Sequence, residues 1–363
     1  MDNYFKHIRA ALWGNGTVSG EGLVVSGEEA TLHMVQGTGT LVFPHAATMT
    51  PQMKMICMQN MQQQVKLQYI LTQAWTALTK AGIRPVLMKG AGLAALYPSP
   101  EQRTWGDIDL FVGKDQYHPA CAIMRETFPK ALKFDEELDH YKHYNLIADG
   151  ISIEIHRVSI GFQHPIDAAR YSKMELAGVE NACELEIGDL RLKIFEPTFN
   201  ALFVMLHSWE HMMTQGANIR QLMDLTLLLH HYKDRIDRKR LRAWLKELHA
   251  LDVWNLYMYM AVKYLGLGDE WLTVSGEGLA VRGERLMSDL MAGKMRSETA
   301  GAARSETAPA VRNRLARKWH TMQGRLANAR RIGQYSPAYA RHMQAETLMH
   351  GALRLFAKDR HWE

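Results

Sequence analysis

The stretch Gly106-Asp107-Ile108-Asp109-Leu110-Phe111-Val112 alternates acidic and apolar residues and then becomes wholly apolar. A period of two is typical of a β-strand, in which successive side chains point to opposite faces. The pattern therefore predicts a strand that carries the carboxylates of Asp107 and Asp109 on one face. Two such carboxylates offer the hard oxygen ligands that suit Mg²⁺.

A glycine-rich turn lies upstream of this strand. Residues 84 to 88 read as a short buried strand, and Lys89-Gly90-Ala91-Gly92 lies where that strand passes into a helix. Glycine allows a close approach of backbone to ligand, and the N–H groups at a helix N-terminus attract phosphate. Lys89 adds a positive charge. The sequence therefore predicts a triphosphate-binding turn here.

A predicted hairpin downstream supplies a third carboxylate. Residues 140–147 and 151–156 flank the turn signal Asp149-Gly150. Alternation places Ser152, Glu154 and His156 on one face of the second strand. Glu154 is therefore the candidate third ligand, and we expect His156 to orient it or to contact phosphate. Two divalent ions about 3.5–4 Å apart, held by three carboxylates, can activate an attacking hydroxyl and neutralise a leaving pyrophosphate.

Taken together, these motifs resemble the uncharacterised nucleotidyltransferase family of the DNA polymerase β-like superfamily. The resemblance covers residues of about 50 to 230 and rests on residues 86–91, Tyr97-Pro98, Arg103, residues 106–110 and residues 154–156, with Arg220 to Leu225 on a later helix. It implies a small mixed sheet flanked by helices. It also implies Mg²⁺-dependent transfer of a nucleoside monophosphate from a nucleoside triphosphate such as ATP, with Mn²⁺ as the alternative ion.

The resemblance also implies roles for individual residues. The catalytic and metal-binding residues would be Asp107, Asp109 and Glu154, and the donor-binding residues Lys89, Gly90, Ala91, Arg103 and His156. The Gly-Ser pair usual in the superfamily is Gly90-Ala91 here. Phosphate binding would therefore depend on backbone amides, Lys89 and Arg103. The resemblance supplies no acceptor, which could be a small molecule, a peptide or a nucleic acid, and the donor base and the number of nucleotides transferred also stay open.

The remaining segments predict an α+β protein with three parts. These are an N-terminal helical or irregular segment (1–82), a nucleotidyltransferase core (83–195) and a helical C-terminal domain (196–363). Thr50-Pro51 begins a long predicted helix that ends at Gly82, and further helices are predicted at 115–128, 197–214, 218–232, 237–265 and 312–355. The small polar residues of 293–310 predict a flexible loop.

Composition excludes several classes of protein. The 363 residues are 47% hydrophobic and 22% charged, which is typical of a globular protein. The three cysteines are far apart and form no CxxC motif, and with no signal-peptide pattern this favours the cytoplasm. No apolar run approaches the roughly 18 residues that span a bilayer, so no membrane partner is expected. The formal charge of +5 permits phosphate-bearing partners without requiring them.

Two other functions fit parts of the sequence. His207-Ser208-Trp209-Glu210-His211 matches the His-x-x-Glu-His pattern of zinc hydrolases, although no third ligand is evident. Alternatively, the fold serves as a catalytically silent binding or antitoxin-like module.

Two further features have open roles. Asp224 is either a structural partner within the helices or a cleft residue. The basic helix predicted over 312–331 is either a solvated face or a phosphate-binding surface. Its basic residues are Arg312, Arg314, Arg317, Lys318, Arg325, Arg330 and Arg331.

Overall fold

Alternating and continuous apolar segments of the chain pair into a mixed sheet. In the computed structural model, which describes residues 1–14, 22–134, 138, 140–162, 164–214, 216–294, 326–327 and 329–356, seven strands have the order β3-β4-β5-β2-β1-β7-β6. The pairs β2–β5 and β1–β7 are parallel and the others antiparallel. The strands are β1 (Val86–Leu87), β2 (Asp107–Phe111), β3 (Leu132–Lys133), β4 (His143–Ala148), β5 (Ile151–His156), β6 (Cys183–Ile187) and β7 (Leu190–Ile194).

The described helices account for most of the remaining chain, and the α+β prediction is confirmed. They are α1 (Asp2–Trp13), α2 (Gly27–Val35), α3 (Gly39–Val42), α4 (Pro51–Lys80), α5 (Ala91–Ala94), α6 (Gly113–Thr127), α7 (Pro165–Glu180), α8 (Pro197–Thr214), α9 (Ile219–His231), α10 (Arg238–Glu247), α11 (Leu251–Met260), α12 (Glu277–Met291) and α13 (Pro337–Phe356). None of the described helices is long and apolar enough to cross a membrane.

The two faces of the central strands differ in polarity. Ile108 and Leu110 on β2, with Ile153 and Ile155 on β5, are fully buried on one face. Asp107 and Asp109 lie on the other face, because side chains alternate along the strand. The β4–β5 hairpin turns at Asp149 and Gly150, whose φ angles are 49° and 79°. Positive φ at both turn residues matches the twist of the two strands.

The long helix α4 begins where the sequence predicts. The Thr50 side chain accepts a hydrogen bond from the Met53 N–H, and Pro51 occupies the first turn. Its buried face includes Leu67, Leu71, Trp75 and Leu78. Other apolar residues that share the helical spacing along α4 are instead exposed: Met55, Met58, Met61 and Val65. Helical spacing identifies the helix, but it does not show which apolar residues have a neighbour to pack against.

The chain divides into two compact units. The first comprises Met1–Gly161, Ser172–Val204 and Met223–Asp237, and it contains the whole sheet. It includes the predicted N-terminal segment and the predicted core except for residues 162–171, and the three-part division of the sequence stays a prediction. The second comprises Phe162–Tyr171, Met205–Leu222 and Arg238–Glu363. Inside the second unit, Asp252 accepts hydrogen bonds from Arg282 and Ser336 at 2.9 and 2.7 Å.

The prediction of one helix over 237–265 is wrong. His249 adopts a left-handed φ of 55°, and the Ala250 N–H bonds the Leu245 carbonyl, which ends α10. A new helix, α11, begins at Leu251.

Two other predicted elements lie mainly beyond the part of the chain that the structure describes. The loop 293–310 falls outside it except at residues 293 and 294. Of the basic residues named in the predicted 312–331 helix, only Arg330 and Arg331 are described.

Candidate active site

Three carboxylates meet on the polar face of the sheet. The parallel register of β2 and β5 sets Asp109 directly opposite Glu154 and Asp107 opposite Ser152. One oxygen each of Asp107, Asp109 and Glu154 lies within 4.8 Å of the other two. The Asp109 side chain is fully buried, whereas those of Asp107 and Glu154 are 41% and 23% exposed. The group is therefore anchored in the sheet and open on one side.

Lys89 occupies the position next to the two aspartates. Its Nζ lies 3.3 Å from Asp107 Oδ2 and 3.0 Å from Asp109 Oδ2. Burial alone would lower the pKa of Lys89, but Asp109, Asp107 and Glu154 outweigh it and hold the pKa above its usual value. The ammonium group is thus a positive charge held between the carboxylates.

His156 links two of the acids. Its Nε2 lies 3.2 Å from Asp109 Oδ1 and 3.1 Å from Glu154 Oε2. Burial opposes the charged imidazole, but these two contacts raise the pKa of His156. Burial likewise opposes charge on Glu154, and His156, His143 and Lys89 outweigh it to lower its pKa to about 2. Glu154 is therefore ionised near neutral pH.

Arg103 lies in a separate buried cluster. Its guanidinium binds Asp224 through Nε and Nη2 at 2.7 and 2.8 Å and donates to the Gly90 carbonyl at 3.2 Å. The Tyr97 hydroxyl also donates to Asp224, at 2.9 Å. Arg103 and Asp224 are each 4% exposed. Arg103 therefore supports the Gly90 turn from behind rather than presenting its charge to solvent.

Gly90 makes this turn possible. Its φ of 58° disfavours residues with a side chain, and a Cβ there would lie 2.8 Å from the Trp105 ring. The helix predicted after this turn is short, since α5 has only four residues. The turn brings Lys89 to the carboxylates because Gly90 follows it in the left-handed region.

The structure brings together five of the predicted site residues: Asp107, Asp109, Glu154, Lys89 and His156. Gly90 and Ala91 lie beside Lys89, and Arg103 donates a hydrogen bond to the Gly90 carbonyl. Sequence reasoning missed Asp224 as the partner of Arg103, because 121 residues separate them. The sequence also places His140, His143 and His156 on paired strands, a pattern that fits a metal cluster but favours a polar surface facing the cleft. In the structure His143 lies opposite His156 on β4.

The His-x-x-Glu-His motif forms no comparable group. The rings of His207 and His211 lie 4.4 Å apart on α8, as expected for residues one helical turn apart. Within the described ranges, sets of three or more potential metal ligands occur only on the sheet: Asp107, Asp109 and Glu154, and His143, Glu154 and His156.

Comparison with known proteins agrees with the resemblance noted in the sequence. Among curated proteins, none matches the chain. An antigenic nucleotidyltransferase-like protein from Paracoccidioides brasiliensis, solved by crystallography, is similar over 49% of this chain and 85% of its own, with 16% identity and a TM-score of 0.31. A family model described as uncharacterised nucleotidyltransferase matches residues 38–266, which is more than half of the chain and includes every residue of the carboxylate group. The chain belongs to this uncharacterised nucleotidyltransferase family.

Proposed function

We propose that the protein transfers a nucleoside monophosphate from a nucleoside triphosphate to a hydroxyl acceptor, with Mg²⁺ as its cofactor. The observation that carries the proposal is the convergence of Asp107, Asp109 and Glu154 within 4.8 Å in a member of a nucleotidyltransferase family. Mn²⁺ is the alternative ion, since it accepts the same oxygen ligands.

The residues present fit a divalent cation. All three ligands are carboxylates, which Mg²⁺ prefers. The Lys89 ammonium already lies within 3.3 Å of both aspartates, so the pair is arranged to hold positive charge. When bound, the metal would supply charge neutralisation at the transferring phosphate and activation of the attacking hydroxyl.

The chain's own residues would bind and orient the donor. Lys89 would exchange its aspartate partners for phosphate oxygens, since its flexible stem lets the ammonium move. The Gly90–Ala91 turn would present backbone amides to the same phosphates. Arg103 and Asp224 would hold that turn in place through the Gly90 carbonyl. His156 would fix the orientation of Glu154.

Labelled nucleotide incorporation tests the proposal. The full-length protein is incubated with each of the four α-labelled triphosphates, Mg²⁺ and separate pools of protein, RNA and small-molecule acceptors. We expect transfer to one pool, and its loss in Asp107→Asn. Asp115→Asn is the matched control, because Asp115 is exposed in the first turn of α6. No transfer, together with no stabilisation of the wild type by any triphosphate with Mg²⁺, would favour a binding or antitoxin-like module.

A further inference from the structure

Two histidines extend the carboxylate group along the sheet. His143 on β4 lies directly opposite His156 on β5, and their ring centroids are 4.9 Å apart. One ligand atom each of His143, Glu154 and His156 lies within 4.8 Å of the other two. Imidazole nitrogen is not a ligand that Mg²⁺ prefers, so these histidines call for a different ion or a different explanation.

The distances suit ligands of one ion. His156 Nε2 lies 3.1 Å and His143 Nδ1 lies 3.9 Å from the same oxygen, Glu154 Oε2. An ion bound to its ligands at about 2.0–2.1 Å in tetrahedral geometry keeps those ligands roughly 3.4 Å apart. The two observed separations lie on either side of that value, and all three ligand atoms lie within 4.8 Å of one another.

The hydrogen bonds of both rings leave nitrogen atoms facing Glu154. His143 Nδ1 is buried and has no hydrogen-bond partner among the described residues. His156 Nδ1 lies 3.4 Å from the Val158 carbonyl, which can accept its hydrogen. A metal bound here would replace the Nε2 proton that faces Asp109 and Glu154 in the metal-free protein, and a backbone carbonyl behind a histidine is a common feature of metal sites.

We propose that His143, His156 and Glu154 form a second metal site, which binds a borderline-soft divalent cation, Zn²⁺ first among them. Two imidazoles and one carboxylate are a ligand set typical of zinc. Glu154 has two oxygens and can bridge this site and the proposed Mg²⁺ site. The inference goes beyond the proposed function, because zinc binding here does not require nucleotidyl transfer.

Zinc retention by the full-length protein tests the site directly. The protein is freed of metal with a chelator, dialysed against Zn²⁺ with Mg²⁺ in excess, and assayed by elemental analysis and by competition with a zinc dye. We expect the affinity of one Zn²⁺ to fall at least about 10-fold in His143→Gln, since even a residue supporting a ligand is worth 10–100-fold. His118→Gln is the control, because His118 is exposed on α6 and outside the group.

Cobalt provides a second readout. Co²⁺ in the wild type should give visible absorption bands that weaken in His143→Gln and persist in His118→Gln. Equal zinc affinity in the two variants, with unchanged cobalt spectra, would overturn the proposal. Neither readout involves transfer, so the loss of zinc binding and the loss of activity are distinguishable. Melting curves of both metal-free variants show whether each one is folded.

Discussion

Two buried charged clusters lie within one compact unit, and they differ in the balance of positive and negative charges. The first cluster pairs one cation, Arg103, with one anion, Asp224, and both are almost fully buried. The second sets three carboxylates against Lys89, with His156 bridging two of them. Asp107 at its edge is 41% exposed. One cluster is closed and neutral, whereas the other is open and has an excess of acids.

This difference separates a structural role from a functional one. A buried ion pair is stable only when each charge meets its partner and its remaining hydrogen bonds. Arg103 and Asp224 satisfy that condition within the protein, since the Gly90 carbonyl and the Tyr97 hydroxyl supply further hydrogen bonds. Three carboxylates around a single lysine do not, so the second cluster gains most from an added cation. The two clusters meet at one turn, because Lys89 belongs to one and the Gly90 carbonyl to the other.

The largest effect on stability is expected from removing one partner of the Arg103–Asp224 cluster. Asp224→Ala leaves the Arg103 charge buried without its carboxylate, and we expect a loss of about 3–5 kcal/mol in the free energy of unfolding. Urea denaturation measures it. The control is Asp234→Ala, which removes an exposed acid from the same region and should change stability by less than about 0.5 kcal/mol. Similar stabilities for the two variants would mean that the Arg103–Asp224 pair adds little.

Substitutions in the open cluster should affect activity more than stability. Asp109→Asn removes a proposed metal ligand, and we expect transfer to fall by more than about 100-fold, since supporting residues alone cost 10–100-fold. If repulsion between Asp107 and Asp109 were the only effect, the metal-free variant would be more stable than the wild type. Lys89 and His156 both contact Asp109, however, so we expect a loss of about 1–3 kcal/mol instead. Full activity in Asp109→Asn would remove Asp109 from the proposed machinery.

Local patterns predict the sheet that carries the open cluster. Period-two alternation around Asp107 and the Asp149-Gly150 turn predict β2 and the β4–β5 hairpin, because each depends only on neighbouring residues. Ser26 and Glu29 form a capping box at the start of α2, and this local sequence signal predicts a helix that the sequence analysis does not include.

Contacts between residues that are far apart in the sequence are harder to predict from local patterns. The contacts of Arg103 with Asp224 and of Lys89 with the aspartates depend on how distant segments pack. Sequence reasoning therefore placed both cations on phosphate, and the Lys89 and Arg103 contacts became visible only in three dimensions.

A third buried acid extends the comparison, because burial outweighs its hydrogen bonds and the nearby charges of His156 and Lys114. Glu175 accepts hydrogen bonds from the Ser159 N–H and hydroxyl, but burial raises its pKa to about 7. The folded protein then holds this proton more tightly than the unfolded chain. Its contribution to stability is complete below about pH 4.5 and is lost as pH rises through about 7.

Glu175→Gln should remove this dependence on pH. We expect the variant to be about 1–3 kcal/mol more stable than the wild type at pH 8, and the difference to vanish near pH 4.5. Urea titrations of both proteins across this range measure it. A constant difference at all pH values would show that Glu175 does not titrate there.

The smallest effect concerns the turn that joins the two clusters. Gly90→Ala combines an unfavourable φ with a Cβ 2.8 Å from the Trp105 ring, whereas Gly82→Ala has a similar φ of 80° and open space around its Cβ. The difference between the two variants therefore reflects the close contact with Trp105 and the unusual backbone conformation of Gly90 (φ 58°, ψ −118°), and we expect Gly90→Ala to be less stable by about 1 kcal/mol. If the turn also binds phosphate, Gly90→Ala alone should weaken the stabilisation of the protein by triphosphate and Mg²⁺. Thermal melts with and without triphosphate measure both quantities. Equal behaviour of the two variants in both measurements would show that the close approach of Gly90 to Trp105 does not hold the turn. It would also show that the Arg103–Asp224 cluster does not fix the position of Lys89 through this turn.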